Sequence, residues 1–251
     1  MYHCVTMPDF LWASVRYTKT LATTKKMKIQ ELEIYTPRLI AQTKFYSEIL
    51  ELDAIAKTKT SISFQIGESI LRLVQREKFT PYHYAINIPA NQEIEGLEWL
   101  KERVEILKHE NLAIQYFDFW NAYAIYFYDE DRNIVELIAR KNLESDSNQP
   151  FGKNSLLEIS EIGIPTSDIG KEYKILENAT GIPIHSGNLE RFCAIGNDNG
   201  LFIAINKKLK KEWFPTKDIP FSSDFVIKFT EKGNEFTFEY KKEKLKAVAK
   251  L

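Results

Sequence analysis

The feature that most limits how this chain can fold is an order of elements that recurs along it. Residues 28–35 alternate apolar and polar with a period of two, the mark of a half-buried strand. Leu32 and Ile34 fall on one side; Glu31, Glu33 and Tyr35 fall on the other. Thr36-Pro37 breaks the run, and Leu39, Phe45, Ile49 and Leu50 then sit at helical spacing. Three short strands fit 54–59, 61–66 and 69–75, with a turn at Gly67-Glu68. The order restarts with a strand at 82–88 closed by Pro89, a helix from Glu93 toward Ile106, and strands at 113–118, 122–128 and 133–139. It starts a third time with a strand from Leu156 to Ile164. There Ser167 is the expected N-cap of a helix that Gly181 stops, before strands at 190–195 and 201–206. The tail offers only a hairpin, 225–229 with 235–240, so the last unit is reduced.

A strand–helix–three-strand unit that repeats cannot bury its apolar face alone, so neighbouring units must complete one another. The expectation is an α+β fold of tandem βαβββ modules, forming open, barrel-like mixed sheets with helices outside. Residues 1–27 read as an N-terminal extension outside the fold, 28–140 as a first domain of paired modules, the polar stretch 141–154 as a linker, and 155–251 as a second, reduced domain.

Composition narrows the function. The 251 residues carry 34 Lys and Arg against 35 Asp and Glu, a net charge of −1. Nucleic-acid binding rests on clustered positive charge, so neither a nucleic acid nor a membrane surface is the expected partner. The lysine-rich stretch Lys207 to Lys211 is short and reads as a solvated loop. No run approaches the roughly 20 apolar residues of a membrane helix. The first 26 residues lack the continuous apolar stretch of a secretory signal. Two cysteines, Cys4 and Cys193, allow no disulfide framework, which fits a reducing, cytoplasmic setting; Cys193 reads as a core thiol.

Three segments carry more specific wording. Pro37 to Leu52 holds a Phe-Tyr pair before a Leu-Glu-Leu end; Asp129 to Leu137 reads Asp-Glu-Asp-Arg-Asn-Ile-Val-Glu-Leu; Ile162 to Ile169 reads Ile-Gly-Ile-Pro-Thr-Ser-Asp-Ile. Together with Gly200 to Ile203 and Trp213 to Thr216, they resemble the vicinal oxygen chelate superfamily, which includes glyoxalase I, fosfomycin- and bleomycin-resistance proteins and extradiol dioxygenases. The chain departs from the usual wording where Glu51, Glu130 and Arg132 replace Gly, Pro and Gly.

The resemblance implies metal ligands on the first and last strands of paired modules. Counting back from Arg38, Ala90 and Asp168 places the first-strand positions at Glu31, His83 and Glu161; the last-strand positions are Arg72 and Glu136. The implied set is His83, Glu136 and Glu31, with Glu161 a weaker candidate. One imidazole and two carboxylates suit Fe(II), Mn(II), Ni(II) or Zn(II). Strand alternation turns His83, Ala85 and Asn87 away from the apolar Tyr84, Ile86 and Ile88, hence toward a cleft. Glu136, between Val135 and Leu137, is costly to bury without a partner. Arg72 binds no cation and argues against a four-ligand glyoxalase I site. Tyr123, Tyr126 and Tyr128 read first as packing residues, and one of them is a candidate acid or base. The remaining histidines, His3, His109 and His185, have no metal-spaced partners. The implied partner is a small molecule with two adjacent oxygens, handled by a glyoxalase-like lyase or isomerase or by a ring-cleaving dioxygenase. The rival reading is a metal-free protein that sequesters a small molecule. Sites within one chain and sites across a homodimer both remain open.

Overall fold

The computed structural model describes residues 26–248. The first module comprises β1 (Lys28–Thr36), α1 (Leu39–Lys44) running into a π turn (Phe45–Ile49), β2 (Ala54–Lys57), β3 (Ser61–Ile66) and β4 (Ser69–Gln75). The second comprises β5 (His83–Ile88), α2 (Glu93–Lys101), the short β6 (Ile106–Leu107) and β7 (Gln115–Phe117), then β8 (Ala122–Tyr128) and β9 (Ile134–Arg140). The third comprises β10 (Glu158–Thr166), α3 (Ile169–Thr180), β11 (Ile184–Gly187), β12 (Phe192–Asn197) and β13 (Gly200–Asn206). The reduced unit is β14 (Phe225–Glu231), β15 (Asn234–Lys241) and β16 (Lys244–Ala247).

Two mixed sheets result, and neither closes into a barrel. One has seven strands in the order β16-β15-β14-β1-β4-β3-β2; the other has nine, ordered β11-β12-β13-β10-β5-β9-β8-β6 with β7 against β8. Inside each full module the first and last strands pair in parallel: β1 with β4, β5 with β9, β10 with β13. Between modules the first strands meet antiparallel, β5 with β10, while β1 meets β14 of the tail. The second module thus shares a sheet with the third, and the first with the reduced fourth. Each sheet draws strands from both sides of residues 141–154.

The pairing follows from burial. Leu32 and Ile34 of β1, Tyr84, Ile86 and Ile88 of β5, Ile162 and Ile164 of β10, and Ile227 and Phe229 of β14 belong to one continuous apolar core. The alternating faces of both sheets enclose it. The opposite face of the nine-stranded sheet carries a second, smaller cluster that includes Ala85, Ala124, Tyr126, Ile138, Ile203 and Trp213. That second cluster floors the site described below.

Three local readings change. Residues 1–25, including His3 and Cys4, lie outside the described residues, but Met27 is fully buried rather than part of an extension. Its thioether lies over Gly196 and Gly200, where added Cβ atoms would come within 3.0 and 2.9 Å of its side chain. A flexible thioether fills such gaps well. Asp168, not Ser167, caps α3, accepting a bond from the Lys171 amide at 3.0 Å, and Gly181 ends the helix at a φ of +67°. Residues 184–187, to which the sequence pattern assigns no strand, form the edge strand β11 on β12.

The two sheets are tied at the β3–β4 turn. Gly67 has a φ of +50°, and the Glu68 amide donates to the Leu157 carbonyl at 2.8 Å, just before β10. A Cβ at position 67 would lie 1.8 Å from that carbonyl oxygen. Gly67→Ala therefore meets both backbone strain and a collision with main chain. It is expected to destabilise the protein by roughly 2–4 kcal/mol, read from urea unfolding.

Candidate metal centre

The centre is built from strand register. Ala85 in β5 is paired with Glu136 of β9 on one side and with Glu161 of β10 on the other. Paired residues across strands share a face, so two carboxylates flank a methyl group small enough to leave the space between them open. His83, two residues earlier on β5, projects from that same face. One donor atom from each of His83, Glu136 and Glu161 falls within a group no wider than 4.8 Å, and all three side chains are buried. His83 Nε2 and Glu136 Oε2 stand 3.5 Å apart. Donors about 2.0–2.2 Å from a common ion lie at similar separations.

The imidazole is oriented for such a role. His83 Nδ1 lies 3.2 Å from the Ile134 carbonyl, which accepts its proton and leaves the Nε2 lone pair directed at the carboxylates. Burial lowers the His83 pKa to about 4, with the Lys210 charge acting in the same direction and the Ile134 carbonyl opposing, so the ring is neutral near pH 7. Burial raises the Glu136 pKa well above the ordinary range, and the Glu161 charge adds to the effect; Arg140 and a bond from Tyr126 oppose it. Glu161 is pushed up by burial in the same way, against the pull of Arg140. Two carboxylates held this close and this dry raise the cost of each other's charge, and a cation between them would remove it. The donor set therefore fits a divalent ion.

Arg140, at the end of β9, is fully buried. Its guanidinium pairs with Glu161, reaches Asp198 at 3.4 Å, and donates through Nε to Asn87 Oδ1 at 3.2 Å. It fixes Glu161 from behind while the carboxylate faces the cavity. Counting the same offset along the third module, the position opposite Gly163 on β13 is Ile203, which offers no donor. Three protein donors remain, leaving room for a ligand.

Above the centre lies a cavity of about 520 Å³. The Trp213 ring stands 4.8 Å from the His83 ring. It reaches this position because Gly163 has no side chain: a Cβ there would lie 2.9 Å from the indole. Phe214 meets Tyr126 edge-on at 5.6 Å, and Phe117 and Trp120 continue the wall from β7 and the turn after it. Of the three β8 tyrosines singled out by sequence, Tyr126 is the one on the cavity. Burial holds its proton firmly, so it serves as a donor toward Glu136 and not as a base.

The structure brings His83 and Glu136 to one face. Glu31 requires correction: it lies on β1 in the other sheet, paired with Lys228 at 2.9 Å, outside the cluster. Its partner strand is β14, not β5, so Glu161 occupies the position beside His83. The offset that yields His83 also yields Glu161; the missing signal was which modules share a sheet. Arg72 pairs with neither Glu31 nor Glu136; it shares the β1 face of Glu31 and forms a half-exposed ion pair with Glu33 at 3.1 Å.

No family model matches the chain, and no curated protein matches its sequence. Among solved structures it is similar to a candidate dioxygenase from Bacillus subtilis, with a TM-score of 0.53 and 13% identity over 73% of this chain and 64% of that one. It is also similar to a glyoxalase I mutant from Zea mays, with a TM-score of 0.49 and 14% identity over 71% and 67%. A third is a mutant of the fosfomycin resistance protein FosX from Listeria monocytogenes complexed with Mn(II), with a TM-score of 0.36 and 21% identity over 45% and 88%. The likeness to the Bacillus subtilis structure is one of fold, and it is consistent with the fold that the sequence resemblance implies. Among the described residues, no helix is long and apolar enough to cross a membrane.

The two arginines make a direct test of burial. Arg140→Met strands a buried carboxylate and is expected to cost about 3–5 kcal/mol in urea unfolding with chelator present. Arg72→Met, at a solvent-screened pair, should cost less than about 1 kcal/mol.

Proposed function

We propose that this protein is a metal-dependent enzyme of the vicinal oxygen chelate class. In this reading His83, Glu136 and Glu161 hold one divalent ion, Fe(II), Mn(II), Ni(II) or Zn(II), and a small molecule binds through two adjacent oxygens. The observation that carries it is the triad itself: three buried donors converge at the floor of a cavity, and among the described residues Glu136 has no cationic side chain paired to it.

A bound ion would withdraw charge from the two ligand oxygens and lower the cost of negative charge developing there, as glyoxalase-like isomerisation or lyase chemistry and ring cleavage both require. The chain supplies the rest. The Ile134 carbonyl fixes the imidazole tautomer, and Arg140 holds the Glu161 carboxylate in place. Tyr126 directs its hydroxyl proton at Glu136, and the Trp213 and Phe214 rings line the cavity over the centre. All three donors belong to a single chain, so the site needs no second copy to complete its ligand set.

One observation favours a metal-free binding role instead. The buried Arg140 already offsets Glu161, so part of the negative charge is balanced without an ion. Metal uptake separates the two readings. The purified chain, stripped with chelator and titrated calorimetrically with Mn(II) and Zn(II), is expected to take up one ion per chain. His83→Ala, Glu136→Gln and Glu161→Gln should each weaken uptake by more than about 100-fold, beyond the 10–100-fold cost of losing an outer-shell partner. Glu31→Gln should leave it unchanged. Absence of stoichiometric uptake by the unaltered protein would leave only the sequestration reading.

A further inference from the structure

Lys210 stands apart from the other lysines of its segment. Lys207 pairs with Glu243 and donates to Ser222 at 3.1 Å. Lys210 instead points into the cavity wall, its amide tied to the Asn206 carbonyl at 2.8 Å. Its Nζ lies 5.6 Å from the centres of both the Phe192 and Trp213 rings. Among the described residues it has no carboxylate partner and no side-chain hydrogen bond. An ammonium is strongly hydrated, and ring faces near the ~6 Å limit of cation–π attraction replace little of that hydration. Burial accordingly pushes its pKa down, and the nearby Arg191 charge adds to this. The other ionised group on the rim, Asp118, is exposed and engaged by the Tyr116 hydroxyl at 3.3 Å. This half-buried ammonium, set between flat apolar rings with no counter-charge among the described residues, is placed to receive an anion.

We infer that the molecule taken into this cavity is an aromatic carboxylate, its ring lying against Trp213, Phe192 and Phe214 and its anionic group meeting Lys210. The shape supports this class. The lining is predominantly aromatic, about 520 Å³ accommodates one or two fused rings, and the walls offer flat faces at several orientations. The charges support it as well. Arg140 is engaged by Glu161 and lies within ion-pair distance of Asp198, which leaves Lys210 as the cation on the wall to be satisfied by the ligand. The inference rests on the reading that this cavity is the ligand site, and extends it to what the ligand must carry besides adjacent oxygens.

The test uses probes that cannot chelate, so that the ion does not enter the result. The full chain, with chelator present, is titrated calorimetrically with 2-naphthoate and with its neutral counterpart 2-naphthamide. Naphthoate is expected to bind at least about tenfold tighter, the discrimination of a charge-assisted hydrogen bond. Lys210→Met should remove that preference and leave naphthamide affinity within about twofold, and Lys210→Arg should retain most of it. Equal affinity for the two probes, binding of neither, or undiminished naphthoate binding by Lys210→Met would overturn the inference. If Mn(II) and Zn(II) fail to bind while the Lys210-dependent preference stands, the metal reading falls alone; if the metals bind and the preference is absent, this one does.

Discussion

The antiparallel joint between β5 and β10 is the constraint on which the centre depends. It sets Ala85 opposite Glu161, while the parallel ladder with β9 sets Ala85 opposite Glu136. A slip of one residue in either ladder would turn a carboxylate through the sheet into the apolar core. The register is held by more than backbone bonds. Tyr84, Ile86 and Ile162 are locked into the core on the far face, and Arg140 reaches across to bind Glu161 on the near face. The apolar pattern and the buried ion pair thus specify the same alignment, and the three donors inherit their spacing from it.

Much of this arrangement was legible from pattern. Period-two alternation located most long strands, and the alternation of His83 with Tyr84 turned the imidazole toward the cavity. The short edge strands β6, β11 and β16 were not legible, since two to four partly exposed residues carry no periodic signal. The offset that gave His83 also gave Glu161, but that Glu161 lies beside His83 while Glu31 lies in the other sheet was not legible, because sequence order does not say which modules pair. Trp213 and Phe214 carry part of the family wording, but their place on a cavity wall was not legible, for a different reason. Trp120, Trp213 and Phe214 come from irregular segments, where side-chain direction follows from tertiary packing rather than from periodicity. Lys210 was hidden in a lysine-rich run whose solvated reading holds for the exposed Lys208.

The two sheets have used equivalent positions in opposite ways. In the nine-stranded sheet the module-end positions are buried and converge. In the seven-stranded sheet Glu31, Glu33, Arg72 and Lys228 pair off among themselves on a partly exposed face. A carboxylate matched by a lysine or arginine beside water has little need of an ion, whereas a dehydrated one does. The scaffold is present twice, and among the described residues the side chains form a converging donor set in one copy.

The module pairing is nested: the inner two units share one sheet, and the outer two share the other. Glu31 and Lys228 touch although 197 positions separate them along the chain. During vectorial synthesis the nine-stranded sheet therefore has all its strands before the seven-stranded sheet receives its closing hairpin. Contacts of such long range carry a large loop-closure cost and form slowly. Until β14 emerges, β1 presents an unsatisfied edge to whatever is nearby, so the ribosome-bound intermediate carries the greater hazard of misassociation.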